Sequence, residues 1–179
     1  IFFISSILIC IPLAFYYQDA NLFLNELGMK NAAGVMTLGQ ISEALFILLL
    51  PIFLNKYGIK KTLIVGMFAW SLRYVLFAFG DTGSNIWMLI FGIVLHGICY
   101  DFFFVSGQIY TDFKAGEKYK SAAQGLIALA TYGLGMLIGF RLAGRVTDKF
   151  ALDPGHDWTQ IWIIPAIFAA VVLVIFILT

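Results

Sequence analysis

Six long apolar stretches, separated by short polar connections, constrain this chain more than any other feature of its sequence. They cover residues 1–22, 33–54, 62–79, 85–108, 121–142 and 158–179, with connections predicted at 25–26, 55–61, 80–84, 114–120 and 148–157. A helix needs roughly 20 apolar residues to cross the hydrocarbon core of a bilayer. The sequence therefore predicts an all-α membrane protein, a single six-helix transmembrane bundle over residues 1–179.

The composition excludes several classes of function. Hydrophobic residues make up 61% of the chain and charged residues 12%, and a soluble fold of this size could not bury so much apolar surface. The net charge of +1 provides no concentrated basic face for nucleic acid. Cys10 and Cys99 lie in apolar stretches and are interpreted as buried hydrophobes. We expect no nucleic-acid partner, no metal site and no cofactor.

Basic residues in the short connections predict the orientation of the bundle. Six are on one side, Lys56, Lys60, Lys61, Lys114, Lys118 and Lys120, and four on the other, Lys30, Arg141, Arg145 and Lys149. This bias favours a cytoplasmic position for the second and fourth connections and for both chain ends.

Four ionisable residues interrupt the predicted spans, namely Asp19, Glu43, Arg73 and Asp101. Such a group is costly inside a membrane and is a functional hypothesis by default. Glu43 and Arg73 lie near the middle of adjacent spans, which predicts a structural ion pair between them. The alternative is that Glu43 carries a proton or binds a ligand. Asp19 lies among polar and aromatic residues at the outer end of its span, where no function is required.

Gln40 lies three residues before Glu43, so the two side chains project from nearly the same helix face. An amide beside a carboxylate can bind the hydroxyls and ring nitrogens of a ligand. The alternative is a hydrogen bond that packs two helices together.

Asp101 is the strongest single candidate for chemistry. It has no basic partner in its helix, and Tyr100 and the phenylalanines at 102–104 surround it. A carboxyl in such a low-dielectric setting can take up and release protons, and so couple transport to a proton gradient. The alternative is a hydrogen bond to a neighbouring helix. His96 shares a face with Tyr100, and a lone histidine of this kind is more typical of packing.

Five short motifs follow one another along the chain: Gln40-Ile-Ser-Glu43, Lys56-Tyr-Gly-Ile-Lys-Lys61, Trp70-Ser-Leu-Arg73-Tyr, Phe77-Ala-Phe-Gly-Asp81 and Tyr100-Asp101-Phe-Phe. Their order and spacing resemble the nucleoside:proton symporters of the major facilitator superfamily. The resemblance extends from about Ala20 to the last span. It implies that the six spans form the C-terminal half of a twelve-helix transporter, with an N-terminal six-helix half missing before Ile1.

The resemblance also implies roles for individual residues. Gln40 and Glu43 would bind the nucleoside, together with Tyr17, Tyr100 and Asp101, in a cavity lined by the first, second, fourth and fifth spans. Either Asp101 or Glu43 would carry the proton. Tyr17 and Tyr132 stand where the family has amides.

The second connection resembles the cytoplasmic gating motif of the superfamily. The matching residues are Asn55, Lys56, Gly58, Lys60 and Lys61, with Asn55 where aspartate is commoner. The alternative is an anchor that follows the distribution of positive charge.

The resemblance therefore implies secondary active transport of nucleosides across the bacterial inner membrane, coupled to proton symport by alternating access. The alternative is a membrane sensor or structural module that binds a small solute without translocating it. An intramembrane aspartyl protease would need a second aspartate on a facing helix, and Asp81 falls in an outer connection. An enzyme is therefore not predicted.

Overall fold

The computed structural model describes all residues 1–179, and nearly all of them are helical. Four continuous helical stretches are long and apolar enough to cross a membrane: Phe2–Glu26, Ala32–Phe79, residues 86–149 and Trp158–Leu178. Two of these are much longer than one crossing requires. Each of the two is interrupted at one glycine, Gly58 (φ 75°) and Gly116 (φ 68°). Glycine adopts this left-handed backbone without steric cost.

The chain reverses direction at Gly58. Residues before it meet successively later residues of the 86–105 stretch, whereas residues after it meet successively earlier ones. The pairs are Ser42 with Gly97, Phe53 with Phe102, Gly66 with Phe103 and Phe77 with Gly92. The helix before Gly58 therefore runs parallel to the 86–105 stretch, and the helix after it runs antiparallel.

A second reversal occurs at Gly116. The Gln124 side chain donates to the Gln108 carbonyl at 2.8 Å and to the Asp112 carboxylate at 2.6 Å, which closes a helical hairpin. We label the segments α1 (Phe2–Glu26), α2 (32–57), α3 (59–79), α4 (86–115), α5 (117–149) and α6 (Trp158–Leu178).

The predicted all-helical fold is confirmed, but several predicted helix ends are wrong. α1 continues through the connection predicted at 25–26, and the connections predicted at 55–61 and 114–120 are helical except at Gly58 and Gly116. Apolarity marks the part of a helix that lies in lipid, whereas backbone hydrogen bonds extend the helix into the polar region.

Two short π-helical segments interrupt the α-helical hydrogen bonding. They are Asp101–Val105 in α4 and Leu129–Gly135 in α5. Phe104 of the first stacks on Tyr132 of the second, with ring centroids 6.1 Å apart. π-Helical turns are rare and often occur at functional sites, and here two of them meet where α4 contacts α5.

An aromatic cluster joins α1, α3 and α6. Tyr74 stacks on Trp162 with an interplanar angle of 10°, while Phe23 and Phe77 each meet Trp162 edge to face at 5.3 Å. All four side chains are buried. α3 and α6 thus pack against each other and against α1.

Close packing of α1 against α5 depends on two glycines. A Cβ on Gly139 would lie 2.6 Å from the Cβ of Ala14, and one on Gly135 would lie 2.8 Å from that of Cys10. The Gly-x-x-x-Gly spacing lets the two backbones approach closely. Cys10 and Cys99 are both buried and free.

Candidate functional site

Polar side chains from four helices lie on one exposed part of the bundle. Tyr17 of α1 and Tyr132 of α5 are 50% and 41% exposed, Gln40 of α2 is exposed, and Glu43 and Tyr100 are half-buried. The Tyr17 phenol is close enough to Tyr100 and to Glu43 to interact with both electrostatically. The phenol oxygens of Tyr100 and Tyr132 are 2.7 Å apart. We call these five residues the polar face.

Glu43 is connected to the interior through His96. Its Oε2 lies 3.6 Å from Nε2 of His96, and the side chain of His96 is only 8% exposed. The parallel packing of α2 and α4 brings the two side chains together, because Gly39, one turn before Glu43, lets the helices approach: a Cβ there would lie 3.3 Å from the Cβ of His96.

The predicted direct ion pair between Arg73 and Glu43 is not formed. Arg73 is fully buried, its Nη1 donates to Nδ1 of His96 at 2.9 Å, and its guanidinium lies 3.6 Å from the centre of the Tyr16 ring. The His96 ring therefore stands between the cation and the acid. Counted along their helices, Arg73 and Glu43 lie at the same depth in the membrane. Because α3 packs antiparallel on α4, however, the Arg73 side chain contacts His96 of α4 and not Glu43 of α2.

The sequence analysis favoured a packing role for His96, whereas the structure places its ring between two ionisable side chains, which makes it a functional candidate. A signal for it was present, because His96 and Tyr100 are four residues apart and hence on one helix face. What the sequence did not reveal is that the other side of the ring meets a buried guanidinium.

Asp101 begins the π-helical segment of α4 and is completely buried. Neither of its carboxylate oxygens makes a hydrogen bond to another protein group. Glu43 is within electrostatic reach. An ionised carboxylate buried without a partner is costly, so this environment suits an acid that can become neutral.

Asp19, in the C-terminal third of α1, is also buried. Its carboxylate accepts a hydrogen bond from the Thr147 hydroxyl of α5 at 3.1 Å. This contact lies near the end of the α1–α5 interface, so Asp19 links two helices and does not belong to the polar face.

The residues of the predicted gating motif surround the chain reversal at Gly58. The side chains of Asn55, Lys56, Lys60 and Lys61 are all exposed. The Thr62 hydroxyl donates to the Gly58 carbonyl at 2.9 Å, at the start of α3. The motif thus forms a basic corner between α2 and α3, outside the apolar part of either helix.

This helical bundle with an amide, a carboxylate and three phenols on one face is typical of a membrane transporter. The family model of the nucleoside H⁺ symporters matches residues 1–179, and the chain belongs to that family. It is an integral, multi-pass membrane protein. The resemblance stated from the sequence is therefore confirmed.

Individual relatives agree with this assignment. YegT of Escherichia coli K12 is 45% identical over 98% of this chain, and the nucleoside permease NupG of the same organism is 32% identical over 96%. The xanthosine permease of Escherichia coli K12 is 32% identical over 86%. Two crystal structures of the nucleoside transporter NupG, one of them of a variant, match 99% of the chain with TM-scores of 0.90 and 0.91 at 31% identity.

The chain spans less than half the length of the relatives it matches. It covers 43% of YegT, 44% of NupG and 37% of the xanthosine permease. In the two crystal structures it covers 46% and 47% of the NupG chain.

Proposed function

We propose that this chain is the C-terminal half of a transporter that carries nucleosides together with protons across the bacterial inner membrane. The observation that carries the proposal is the polar face with the buried Asp101 beside it. Within this family, such a face is suited to a nucleoside and such an acid to a proton. The two halves would alternate access to a site between them.

The chemistry of the polar face matches a nucleoside. The Glu43 carboxylate can accept hydrogen bonds from the ribose hydroxyls, while the Gln40 amide can both donate hydrogen bonds to the edge of a base and accept them from it. The phenols of Tyr17, Tyr100 and Tyr132 combine an aromatic surface for stacking with a hydrogen-bonding group. A planar base and a polyhydroxyl sugar both find partners here.

The proposed proton carrier is Asp101, with Glu43 as the second candidate. Asp101 is buried and unpartnered, so its charged form is the costly one. Protonation from the outside would neutralise it and permit the loaded bundle to rearrange. Loss of the proton on the inside would accompany release of the nucleoside.

A second six-helix half, N-terminal to this one, is the proposed partner of the polar face. Relatives more than twice as long as this chain support it, as does the exposure of the polar side chains. The basic corner around Gly58 would lie on the cytoplasmic side, where positive charge is favoured, and would act there in gating.

Uptake by the full-length protein tests the proposal. It would be expressed in bacteria that lack their own nucleoside transporters, and accumulation of radiolabelled uridine, adenosine and xanthosine would be measured with and without a protonophore. We expect accumulation of at least one nucleoside that the protonophore abolishes. Binding without uptake would instead indicate a sensor, and uptake insensitive to the protonophore would contradict proton coupling.

A further inference from the structure

A chain of three polar groups runs from the buried Arg73 through the buried His96 to Glu43 of the polar face. Arg73 of α3 contacts His96 of α4, and His96 contacts Glu43 of α2, at 2.9 Å and 3.6 Å respectively. The His96 imidazole of α4 therefore contacts charged side chains from two other helices, α2 and α3.

Arginine stays protonated in proteins, and its guanidinium has donors but no acceptor. In the contact between Arg73 and His96, Nδ1 must therefore accept, so it carries no proton. A neutral imidazole then bears its one proton on Nε2. Nε2 is the ring nitrogen that faces Glu43.

Aromatic rings hold the imidazole in this orientation. The ring of Tyr16 stacks on it with an interplanar angle of 28° and a centroid distance of 5.3 Å. The ring of Tyr100, in the same helix as His96, has its centroid 5.8 Å from that of the imidazole. Tyr16 also supports the Arg73 guanidinium at 3.6 Å, a favourable cation–π contact. The ring is thus restrained from rotating to exchange its two nitrogens.

From this geometry we infer that His96 is a positioning residue for Glu43: Arg73 holds His96 as the neutral Nε2–H tautomer, whose N–H orients the Glu43 carboxylate towards the nucleoside. The inference rests on the proposed function. His96 neither touches the nucleoside nor carries the transported proton. Its role is to present a donor to the carboxylate, and the role of Arg73 is to fix which nitrogen donates.

The tautomer is measured directly by solid-state NMR on the full-length protein, labelled with ¹⁵N-histidine and embedded in lipid bilayers. The His96 signals are assigned by their disappearance in His96→Gln. We expect a neutral ring protonated on Nε2 alone. In Arg73→Met, which removes the donor but keeps an extended side chain, we expect protonated Nδ1 to appear as well. A ring protonated on Nδ1, or on both nitrogens, in the unsubstituted protein would overturn the inference.

Transport kinetics separate positioning from a merely structural role. Glutamine at position 96 can accept from Arg73 through its oxygen and donate to Glu43 through its nitrogen, whereas leucine can do neither. For whichever of uridine, adenosine and xanthosine the protein takes up, we expect His96→Leu to raise KM about tenfold with little change in maximal rate, because the Nε2–H group that faces the Glu43 carboxylate at 3.6 Å is removed. His96→Gln should restore most of the affinity.

Equal impairment in both variants, or unchanged KM in His96→Leu, would overturn the positioning role. Thermal melting of both variants is recorded so that a loss of folding is not mistaken for a loss of affinity. If the unsubstituted protein takes up no nucleoside, the proposed function fails and the positioning of Glu43 for a nucleoside fails with it, whereas the NMR measurement still decides whether Arg73 fixes the His96 tautomer.

Discussion

The phenol oxygens of Tyr100 and Tyr132 lie 2.7 Å apart and join α4 to α5 at the polar face. Tyr100 directly precedes the π-helical segment of α4, and Tyr132 lies within that of α5. In a bond between two phenols one hydroxyl donates and the other accepts. The accepting phenol therefore keeps its own proton free to donate to a ligand.

Removing one phenol of this pair should change how the base of the nucleoside is recognised. We expect Tyr132→Phe to weaken binding of the transported nucleoside about threefold to tenfold, because a net hydrogen bond contributes about 1 kcal/mol. Competition of uptake by a panel of unlabelled nucleosides measures the effect. Tyr119→Phe, at an exposed position near the α4–α5 turn, is the control. Identical competition profiles for Tyr132→Phe and the control would contradict the assignment.

The α2–α4 contact that places Glu43 beside His96 depends on Gly97. A Cβ there would lie 2.6 Å from the carbonyl carbon of Ser42, and the Ser42 hydroxyl donates to the Val94 carbonyl. We expect Gly97→Ala to destabilise the protein by about 1–3 kcal/mol, as overpacking usually does. Thermal melting in detergent measures this.

Gly125→Ala is the matched control for that substitution. Gly125 is also in a helix, but nothing lies within 4 Å of the Cβ that alanine would add. Alanine is the better helix former, so the control should melt at the same temperature or slightly higher. If both alanine variants behave alike, close approach at Gly97 does not hold the two helices together.

The spans could be predicted from the sequence because a helical segment that lies in lipid must be apolar. The positions of Glu43 and Asp101 were also foreseeable, since an acid inside an apolar stretch is conspicuous. Which side chain meets Arg73 was not foreseeable. Sequence spacing gives the depth of a residue, but the rotation of each helix and its crossing with its neighbours decide whether Arg73 meets Glu43 or His96.

The turns at Gly58 and Gly116 show a second limit. The basic residues around them were interpreted as loops, yet the helices extend to within one residue of each glycine. Lysine is nevertheless a good helix former. Polarity therefore marked the end of the lipid-embedded part but not the end of the helix.

Asp81, in the connection between α3 and α4, should make stability depend on pH. Its carboxylate accepts hydrogen bonds from the backbone amides of Asn85 at 3.2 Å and Gly83 at 2.6 Å, and these bonds hold its pKa below the ordinary value. The stabilisation is therefore present above about pH 4, the ordinary aspartate pKa. It is lost as the pH falls through the lower pKa of the folded state.

We expect Asp81→Asn to lower the melting temperature at neutral pH, with the difference from the unsubstituted protein shrinking as the pH falls below about 4. Asp153→Asn is the control, because Asp153 is exposed in another connection and makes no side-chain hydrogen bond. A difference for Asp81→Asn that stays constant from pH 3 to pH 7 would show that ionised Asp81 does not cap this turn.

The most direct test of the central claim is uphill nucleoside uptake into proteoliposomes with an imposed pH gradient, comparing the full-length protein with Asp101→Asn. Asparagine keeps the size and hydrogen-bonding capacity of the side chain but cannot titrate. Glu117→Gln, which removes an exposed carboxylate near the α4–α5 turn, is the control. We predict that Asp101→Asn abolishes accumulation of the nucleoside against its own concentration gradient while retaining measurable nucleoside binding, and that the control accumulates the nucleoside normally. Undiminished uphill uptake by Asp101→Asn would contradict the account and move the proton site elsewhere, with Glu43 the next candidate.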